Sequence, residues 1–394
     1  MRVLVFTSLF PNHQHPDFGI FIKNRMFHFT RLKACEIRVV APVPYCLPWK
    51  GMGSWYEFSQ IKHHEIMQGI HLYHPRYLLI PKISMQFHGL FMFLSTIRLI
   101  KKIQKEFPFD LIDAHYIYPD GFAGVLLGKI FKKPVVVSAR GSDIHQFPKY
   151  KTIRPMIKTT LQHSSYVISV CNALKEVMIN LGADISKTVV IPNGIDTSLF
   201  YPEEKNIARQ LLSLDIHKKI IFSAGGLITL KGHHIVIDAM ADIIERIPDI
   251  HFFIAGKGVY QRNLEERISE KKLKTYITLL GHVPNSELKQ WYSAADVFCL
   301  ASSREGWANV IMESMACGTP VVATNVWGAP EIITSPEVGL LVDRNKDSIA
   351  NGLIEALTRD WNRELIRDHV SKRTWDVVAQ EVKDVFEQVL SEKK

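Results

Sequence analysis

The sequence is poor in cysteine and has no long apolar run, and each absence excludes a class of protein. Its five cysteines are an odd number without a CxxC pair, so they predict neither a disulfide framework nor a zinc site and favour a reducing, cytoplasmic compartment. No stretch approaches the roughly 18–20 apolar residues that a spanning helix needs. The apolar start, with about eight such residues and no small-residue cleavage site, predicts a buried strand rather than a secretory signal.

Charge is unevenly distributed along the 394 residues. The first 197 residues carry 24 basic and 12 acidic side chains, whereas the remaining 197 carry 24 and 27, within a formal net charge of +9. A basic half of this kind predicts an anionic surface as its neighbour, either a membrane or a nucleic acid. Because no aromatic and basic RNA-binding motif accompanies the charge, we expect no nucleic-acid partner.

Short β-branched runs alternate with amphipathic helical stretches through the whole chain. This alternation predicts an α/β fold class, with parallel sheets covered by helices on both faces. The turn-rich segment from Pro192 to Pro202 predicts a link between two doubly wound domains of similar size, which we expect to face each other across a ligand-binding cleft. The predicted strands are Val3–Thr7, Ile37–Ala41, Leu111–Ala114, Val135–Ser138, Val167–Val170, Val189–Ile191, Ile220–Ser223, His251–Ala255, Ile277–Leu280, Val297–Leu300, Val321–Ala323 and Gly339–Val342.

The segment from Ile83 to Phe107 predicts a basic amphipathic helix. Apolar residues recur in it at helical spacing, and basic residues crowd its end. Such a helix can lie in a membrane interface, or it can be a core helix with a solvated cationic end. Further lysines and arginines between Lys129 and Lys158 favour the membrane interpretation.

The segment from Gly281 to Ile332 carries the most chemical information. A buried strand ends near Leu300, a polar loop follows it, and the loop leads into a predicted helix from Asn309 to Cys317. Glu305 lies in the loop and Glu313 on the helix, so both carboxylates can face one cleft while contacting different parts of an elongated ligand. This spacing suits hydrogen bonds to sugar hydroxyls and exceeds the roughly 5 Å expected of a retaining glycosidase pair.

Glycine-rich turns follow two of the predicted strands, and a single glycine follows the loop after the first strand. The run 223–232, SAGGLITLKG, places Gly225 and Gly226 after a strand and Lys231 before a helix, a pattern that predicts a phosphate site. Gly256 belongs to a similar turn after the next strand, and Gly19 opens a helix near the N-terminus. Each turn alone is weak evidence, because strand-to-helix turns are often rich in glycine.

Taken together, these motifs resemble family 4 of the retaining, nucleotide-sugar-dependent glycosyltransferases of GT-B fold. The resemblance covers nearly the whole chain. It rests on IPNGIDTSLF, GGLITLKG, IAGKG, SAADVFCLASSREGWANVIMESMACGTPVVAT and WGAPEII, in this order. It implies an N-terminal acceptor-binding domain of residues 1–195, joined by a C-terminal helix of residues 375–394 that crosses back to it. Residues 196–374 would form the donor-binding domain.

The resemblance also implies roles for residues of the donor domain. Glu305 would hydrogen-bond the hydroxyls of the donor sugar, and Glu313 would bind the ribose. Lys231 would neutralise the departing diphosphate. Backbone N–H groups near the sugar and phosphates would come from Gly306, Trp307, Ala308 and Asn309.

In the first half, Gly19 matches a loop glycine that approaches the donor phosphates. Arg140 stands near the reacting centre, where the family usually has a histidine; arginine can donate hydrogen bonds but cannot act as a base. Two further acceptor-side candidates are His115 and Asp143. The alternatives for them are a histidine hydrogen-bonded to backbone and a turn-capping carboxylate.

Two other positions depart from the family pattern. Gly226 replaces an arginine that pairs with the later lysine, so we expect Arg140 or Arg304 to compensate for the missing charge. Trp327 occupies a position that is commonly glycine and is expected to reshape the donor pocket. Neither change removes the two glutamates.

The resulting expectation is a retaining glycosyltransferase that needs no cofactor. It would move a sugar from a nucleotide diphosphate, more often UDP than GDP in this family, to a glycan or lipid-linked acceptor in cell-surface polysaccharide or glycoconjugate synthesis. No Asp-x-Asp motif is present, so no metal is implied, and helix dipoles with Lys231 would stabilise the leaving group. The basic half would bring a cytoplasmic enzyme to the inner face of an anionic membrane. Alternatives are a sugar-nucleotide epimerase of the same fold and a non-catalytic nucleotide-sugar-binding partner.

Overall fold

The computed structural model describes residues 1–80 and 83–392. The chain divides into two compact units. Unit 1 comprises residues Met1–Asn193 and Trp375–Lys394, and unit 2 comprises Gly194–Thr374.

Unit 1 is built on a mostly parallel sheet whose central strands are rich in apolar residues. Its main strands bury nearly every residue, as the all-buried sequence Leu111–His115 illustrates, because helices cover both faces of the sheet. The strands are β1 (Arg2–Phe6), β2 (Glu36–Val40), β3 (Val43–Pro44), β4 (His64–Met67), β5 (Ile70–Tyr73), β6 (Arg76–Tyr77), β7 (Leu111–His115), β8 (Val135–Ser138), β9 (Tyr166–Ser169) and β10 (Thr188–Val190). The helices are α1 (Ile20–Arg31), α2 (Ser54–Gln60), α3 (His88–Glu106), α4 (Phe122–Phe131), α5 (Ser142–His145), α6 (Arg154–His163) and α7 (Asn172–Asn180).

The main sheet of unit 1 has the strand order β10-β9-β8-β7-β1-β2-β5-β4. All neighbours are parallel except β4, which is antiparallel to β5, and β3 pairs with β6 in a separate two-stranded sheet. The order reverses where β1 lies between β2 and β7. Loops at the carboxyl ends of strands beside such a reversal form the usual ligand-binding crevice of a doubly wound sheet.

Unit 2 repeats this design with six parallel strands in the order β13-β12-β11-β14-β15-β16. The order reverses between β11 and β14, which pair directly. The strands are β11 (Lys219–Ala224), β12 (Ile250–Ala255), β13 (Ile277–Gly281), β14 (Val297–Leu300), β15 (Val321–Thr324) and β16 (Gly339–Val342). The helices are α8 (Lys205–Leu211), α9 (His233–Arg246), α10 (Gln261–Glu270), α11 (Leu288–Ala294), α12 (Asn309–Ala316), α13 (Ala329–Ile332), α14 (Lys346–Thr358) and α15 (Arg363–Ser371).

The last helix, α16 (Trp375–Ser391), belongs to the core of unit 1. Its apolar residues recur at helical spacing, and Val378, Val382 and Phe386 are buried. The Phe386 ring meets the Phe29 ring of α1 edge to face, with 5.5 Å between centroids. The predicted return of the C-terminal helix to the first half of the chain is therefore confirmed.

Short turns of other helical types complete the description. They are the 3₁₀ turns Lys50–Met52, Met85–Phe87, Phe147–Lys149, Ile185–Lys187 and Thr229–Lys231 and a π-helical turn, Ile117–Gly121. Each of the twelve predicted strands overlaps a strand of the structure. Sequence reasoning missed the four strands between Val43 and Tyr77, two of which have only two residues and two of which have four.

Candidate functional site

The topology of unit 2 explains why two distant segments meet. Lys231 follows β11 and Glu305 follows β14, and these strands are neighbours at the reversal of strand order. The Ser303 N–H donates to the carbonyl of Leu230 at 2.8 Å, which fixes one loop against the other. Gly232, with φ of 73°, packs so closely that a Cβ there would overlap the carbonyl oxygen of Ala301. The sheet therefore places an ammonium and a carboxylate side by side.

Lys231 and Glu305 form an ion pair at this edge of the sheet. The Lys231 Nζ donates to Glu305 Oε1 at 2.5 Å, and the Ser302 hydroxyl donates to the same oxygen at 2.6 Å. Within residues 1–80 and 83–392, Oε2 of Glu305 accepts no hydrogen bond. One carboxylate oxygen is thus held in place while the other is available to a ligand hydroxyl.

Glu313 lies on α12 in a more apolar environment. The Tyr292 hydroxyl donates to Glu313 Oε2 at 2.9 Å. Burial raises the pKa of Glu313 to about 7, and Tyr292 opposes that rise only in part. A carboxylate with this pKa gains most from a ligand that donates hydrogen bonds to it, because such bonds favour the charged form.

The loop between Glu305 and α12 presents unpaired backbone groups. In the described part of the chain, the N–H groups of Gly306, Trp307 and Ala308 have no hydrogen-bond acceptor. Asn309, by contrast, donates its N–H to the Trp307 carbonyl at 3.1 Å and begins the helix. Three successive N–H groups before a helix N-terminus form an arrangement suited to an anion or a sugar oxygen.

The glycines that follow β11 and β12 have a packing role as well. The Gly225 N–H donates to the Ala255 carbonyl at 2.9 Å, and a Cβ at Gly256 would overlap the Gly225 carbonyl oxygen. Gly226 differs, since a Cβ added there would have the Lys257 carbonyl oxygen, 3.9 Å away, as its nearest neighbour. Space for a longer side chain exists there, and Arg304 is a half-buried cation with no ion pair in the described residues. Trp327 adopts a φ of 49°, a conformation that favours glycine.

Unit 1 brings its candidates together in a buried network at its own sheet reversal. The Arg140 guanidinium donates to His115 Nδ1 at 2.7 Å and to Asn193 Oδ1 at 3.1 Å. It also lies over the Phe21 ring, 5.2 Å from its centroid. Burial lowers the pKa of Arg140 to about 9, which leaves it charged at neutral pH.

His115 is fully buried between Arg140 and Asp113. Because arginine can only donate, Nδ1 of His115 must accept, and the proton of the neutral ring lies on Nε2, 3.1 Å from Asp113 Oδ2. Burial lowers the pKa of His115 to about 3. Arg25 completes the network, because its Nη2 donates to both carboxylate oxygens of Asp113, at 3.0 and 2.9 Å. Although burial opposes ionisation, these partners hold the pKa of Asp113 below its ordinary value.

Asp143 and Gly19 shape the loops around this network. Asp143 is buried and accepts hydrogen bonds from the N–H groups of Ile117, Arg140 and Gly141, while burial raises its pKa. Gly19 has a φ of 70°, and a Cβ there would overlap the Leu9 carbonyl oxygen. The side chains of His115 and Asp143 are both fully enclosed, so their predicted effect on an acceptor would act through Arg140 and the loop backbone.

Among the described residues, no group of three or more His, Cys, Asp or Glu side chains is arranged to hold a metal ion. No described helix is long and apolar enough to cross a membrane.

Sequence reasoning missed the residues that support these side chains. Ser302 and Tyr292 hold the two glutamates, and Arg25 and Asp113 anchor the His115–Arg140 contact. Some of these residues could have been identified from the sequence as polar residues on otherwise apolar strands or helix faces. Such a residue is expected to be buried, and a buried polar group requires a partner. Asp113 carries that signal in the strand Leu111–His115, and Arg25 carries it on the face of α1 that also has Ile22, Met26 and Phe29.

Two family models match the chain in succession. The Glycosyltransferase Family 4 model matches residues 61–199, and the model for glycosyl transferases group 1 matches residues 204–373. Among curated proteins, TuaC of Bacillus subtilis (strain 168), a glycosyltransferase named for teichuronic acid biosynthesis, is 27% identical over 389 residues, 96% of this chain and 94% of its own. The uncharacterized glycosyltransferase MJ1607 of Methanocaldococcus jannaschii is 33% identical over 71% of this chain and 75% of its own.

Solved structures show the same architecture at low sequence identity. Sucrose-phosphate synthase from Thermosynechococcus elongatus has a TM-score of 0.80 and 19% identity, with 99% of both chains covered. Anabaena HepE, solved in complex with UDP-glucose, has a TM-score of 0.73 and 19% identity over 98% of this chain and 99% of that one. The chain therefore has the GT-B fold and belongs to glycosyltransferase family 4, a retaining family of group 1 that transfers sugars from nucleotide-sugar donors.

Proposed function

We propose that this enzyme transfers a sugar from a UDP-sugar to a glycan or lipid-linked saccharide acceptor in cell-surface polysaccharide or glycoconjugate synthesis. The observation that carries the proposal is the contact of Lys231 with Glu305 at the sheet reversal of unit 2. The UDP-glucose complex of HepE supports a uridine donor, and the name of TuaC supports a surface-polysaccharide product. The enzyme would act on the cytoplasmic side of a membrane, without a metal.

In this proposal unit 2 holds the donor. Lys231 binds the diphosphate and stabilises its charge as it leaves, while Oε2 of Glu305 accepts a hydrogen bond from the sugar. Glu313 binds the ribose hydroxyls. The unpaired N–H groups of Gly306, Trp307 and Ala308 donate to the phosphates and sugar, and the backbone of the glycine turns and of the helix start approaches them closely; these residues are Gly225, Gly226, Gly256 and Asn309. Arg304 supplies the second positive charge, which the family usually obtains from an arginine at the position of Gly226.

Unit 1 would bind the acceptor and place its attacking hydroxyl. Arg140 donates hydrogen bonds near the reacting centre, and His115 orients the guanidinium by accepting one of its N–H groups. His115 is a positioning residue in this account, as is Asp143, which shapes the Arg140 loop. Gly19 allows the loop after β1 to approach the donor phosphates. Departing phosphate oxygen helps to deprotonate the acceptor on the same face, which retains the anomeric configuration.

Mutation of Glu305 tests the proposal most simply. We expect Glu305→Ala to lower kcat/KM by about 100-fold or more, the loss typical when a charge-stabilising or positioning contact to the transition state is removed. The assay would follow transfer of radiolabelled sugar after a thermal-shift screen has identified the donor nucleotide. Glu337→Ala, which removes an exposed carboxylate of the same unit, is the control.

Three outcomes would contradict parts of the proposal. Unimpaired transfer by Glu305→Ala would refute the site assignment. Conversion of the UDP-sugar without any acceptor would identify an epimerase. Binding of the donor with no turnover against any saccharide acceptor would favour a non-catalytic binding protein.

A further inference from the structure

The exposed side of α3 is apolar in its first part and basic in its last part. Exposed residues from Phe87 to Lys105 recur every three or four positions and form one stripe. Lys102 and Glu106 are also exposed, lie beside the stripe and pair with each other at 3.9 Å. Phe87, Leu90 and Leu94 occupy the first part of the stripe, with exposed fractions of 46, 40 and 56%. The last part is basic: Arg98, Lys101 and Lys105. The opposite face, which includes Met92, Ile100 and Ile103, is buried.

This distribution bears on both interpretations of the Ile83 to Phe107 segment, the core helix and the helix at a membrane interface. The helix does contribute to the core, as the core-helix interpretation requires, but through Met92 and Ile100 rather than through Phe87, Leu90 or Leu94. Apolar surface left in water is unfavourable in proportion to the area that could be buried. The exposed stripe therefore needs a separate explanation.

Neighbouring loops extend the apolar part of the stripe. The Tyr45 N–H donates to the Tyr77 carbonyl at 2.8 Å, and the Tyr77 ring lies 6.1 Å from the His88 ring at the start of α3. The Ile80 N–H donates to the Ser84 hydroxyl at 2.8 Å. These contacts bring the segments that carry Tyr45, Leu78, Ile80 and Ile83 near the start of the helix, and Leu47 and Trp49 follow Tyr45 along the chain. All six side chains are exposed.

We propose that this surface docks onto an anionic phospholipid bilayer. The membrane-docking face is defined as Tyr45, Leu47, Trp49, Leu78, Ile80, Ile83, Phe87, Leu90 and Leu94 together with Arg98, Lys101 and Lys105. Its apolar part enters the boundary between headgroups and acyl chains, and its basic part pairs with lipid phosphates. The proposal goes beyond the proposed transfer reaction, because it holds whether or not the acceptor is a lipid.

Charge complementarity favours a bilayer over other occupants. Arg98, Lys101 and Lys105 form no ion pair within residues 1–80 and 83–392, so their charges are available to anionic headgroups. Seven residues of helix separate Leu94 from Lys101, about 10 Å of rise, so the apolar and basic parts occupy successive stretches of the same stripe. Trp49 and Tyr45 add the aromatic types that concentrate at membrane interfaces.

Vesicle cosedimentation of the full chain tests the membrane-docking face. We expect wild-type protein to bind vesicles of equimolar phosphatidylcholine and phosphatidylglycerol, to bind pure phosphatidylcholine at least tenfold more weakly, and to lose affinity as salt is raised. Arg98→Glu, Lys101→Glu and Lys105→Glu together should weaken binding at least tenfold, because each basic residue near an anionic surface contributes appreciably. Leu90→Gln with Leu94→Gln should also weaken it severalfold.

Matched controls separate local docking from a general effect of charge or hydrophobicity. Lys187→Glu, Lys274→Glu and Lys372→Glu change the net charge equally at exposed sites elsewhere, and Ile207→Gln with Leu211→Gln removes exposed apolar residues of α8. Both control sets should bind vesicles as the wild type does. Equal losses in test and control sets, unchanged binding by the test sets, or no binding by the wild type would each overturn the proposal. Transfer to a soluble acceptor should be unchanged in all variants, so a failure of docking is distinguishable from a failure of the proposed reaction.

Discussion

The two units build polar clusters at equivalent places in their sheets but hold them in opposite ways. In unit 1, Arg25 and Asp113 are almost completely enclosed, and His115 joins them to Arg140. In unit 2, Lys231 and Glu305 contact each other with 21 and 11% of their side chains exposed. A closed network fixes a single geometry, whereas a partly open pair can exchange its internal contact for contacts with a ligand. The first arrangement suits positioning of Arg140, and the second suits binding and release of a charged donor.

Stability measurements should show the largest difference between the clusters. Asp113→Asn leaves the buried Arg25 without its countercharge, and we expect it to lower the free energy of unfolding by about 3–5 kcal/mol. Glu305→Gln leaves Lys231 accessible to water, and we expect a change within about 1 kcal/mol. Urea unfolding followed by circular dichroism measures both variants. Similar losses in the two variants would show that the clusters do not differ in this way.

The contact between His115 and Arg140 should affect turnover rather than donor affinity. His115→Leu removes the acceptor of an Arg140 N–H, so we expect kcat to fall about tenfold, with the KM for the donor unchanged. His115→Gln retains an acceptor and should recover most of the activity. Because the pKa of His115 lies at about 3, the wild-type rate should show no inflection from this residue between pH 5 and 9.

Other results would assign His115 a different role. An equally inactive Gln variant would point to a requirement for the imidazole itself. A loss in both variants that follows thermal stability rather than kcat would indicate a purely structural residue.

The raised pKa of Glu313 predicts a smaller, pH-dependent effect confined to unit 2. Its folded-state pKa of about 7 lies above the ordinary carboxyl value, so the folded protein binds the extra proton and loses stability as the pH rises from about 4.5 to 7. Glu313→Gln should therefore raise Tm at pH 8 and leave it unchanged near pH 4.5. Differential scanning calorimetry at the two pH values measures this; an equal shift at both would contradict burial as the cause.

The same variant should weaken donor binding. We expect the wild-type affinity for a nucleotide sugar to rise from pH 6 to pH 8 as Glu313 ionises, since hydrogen bonds to charged groups are the stronger ones. The affinity of Glu313→Gln should not depend on pH and should be about tenfold lower than that of the wild type at pH 8. Calorimetric titration with an intact nucleotide sugar avoids the titrating terminal phosphate of a free nucleotide. A pH dependence retained by the variant would assign the effect to another group.

The fold class could be predicted from the sequence because continuous apolar strands alternate with amphipathic helices. The strand order could not, since nothing in the sequence states that β11 lies beside β14 or β7 beside β8. For that reason the Lys231–Glu305 and Arg140–His115 contacts, which join residues 74 and 25 positions apart, were not foreseeable as contacts. The family resemblance singled out Lys231, Glu305 and Arg140, but their mutual geometry depends on the sheets.

Periodicity alone also could not decide which side of α3 faces the core. Apolar residues occur all around its first three turns, so the sequence allowed either side to be buried. The structure selects Met92, Thr96 and Ile100 for the core, including a threonine whose hydroxyl donates to the Met92 carbonyl at 2.7 Å. Phe87 and Leu94 remain outside because the tertiary packing of α3 against α4 decides the orientation.

On this account, Lys231 exchanges its contact with Glu305 for a contact with the donor diphosphate when the donor binds. One binding measurement tests the role of Lys231 directly. Calorimetric titration would compare the wild type with Lys231→Met and with Lys346→Met, which removes a lysine from an exposed ion pair with Asp242 in the same unit. We predict that Lys231→Met weakens binding of the nucleotide sugar at least tenfold, while Lys346→Met binds as the wild type does. Equal affinity in all three proteins would contradict the account.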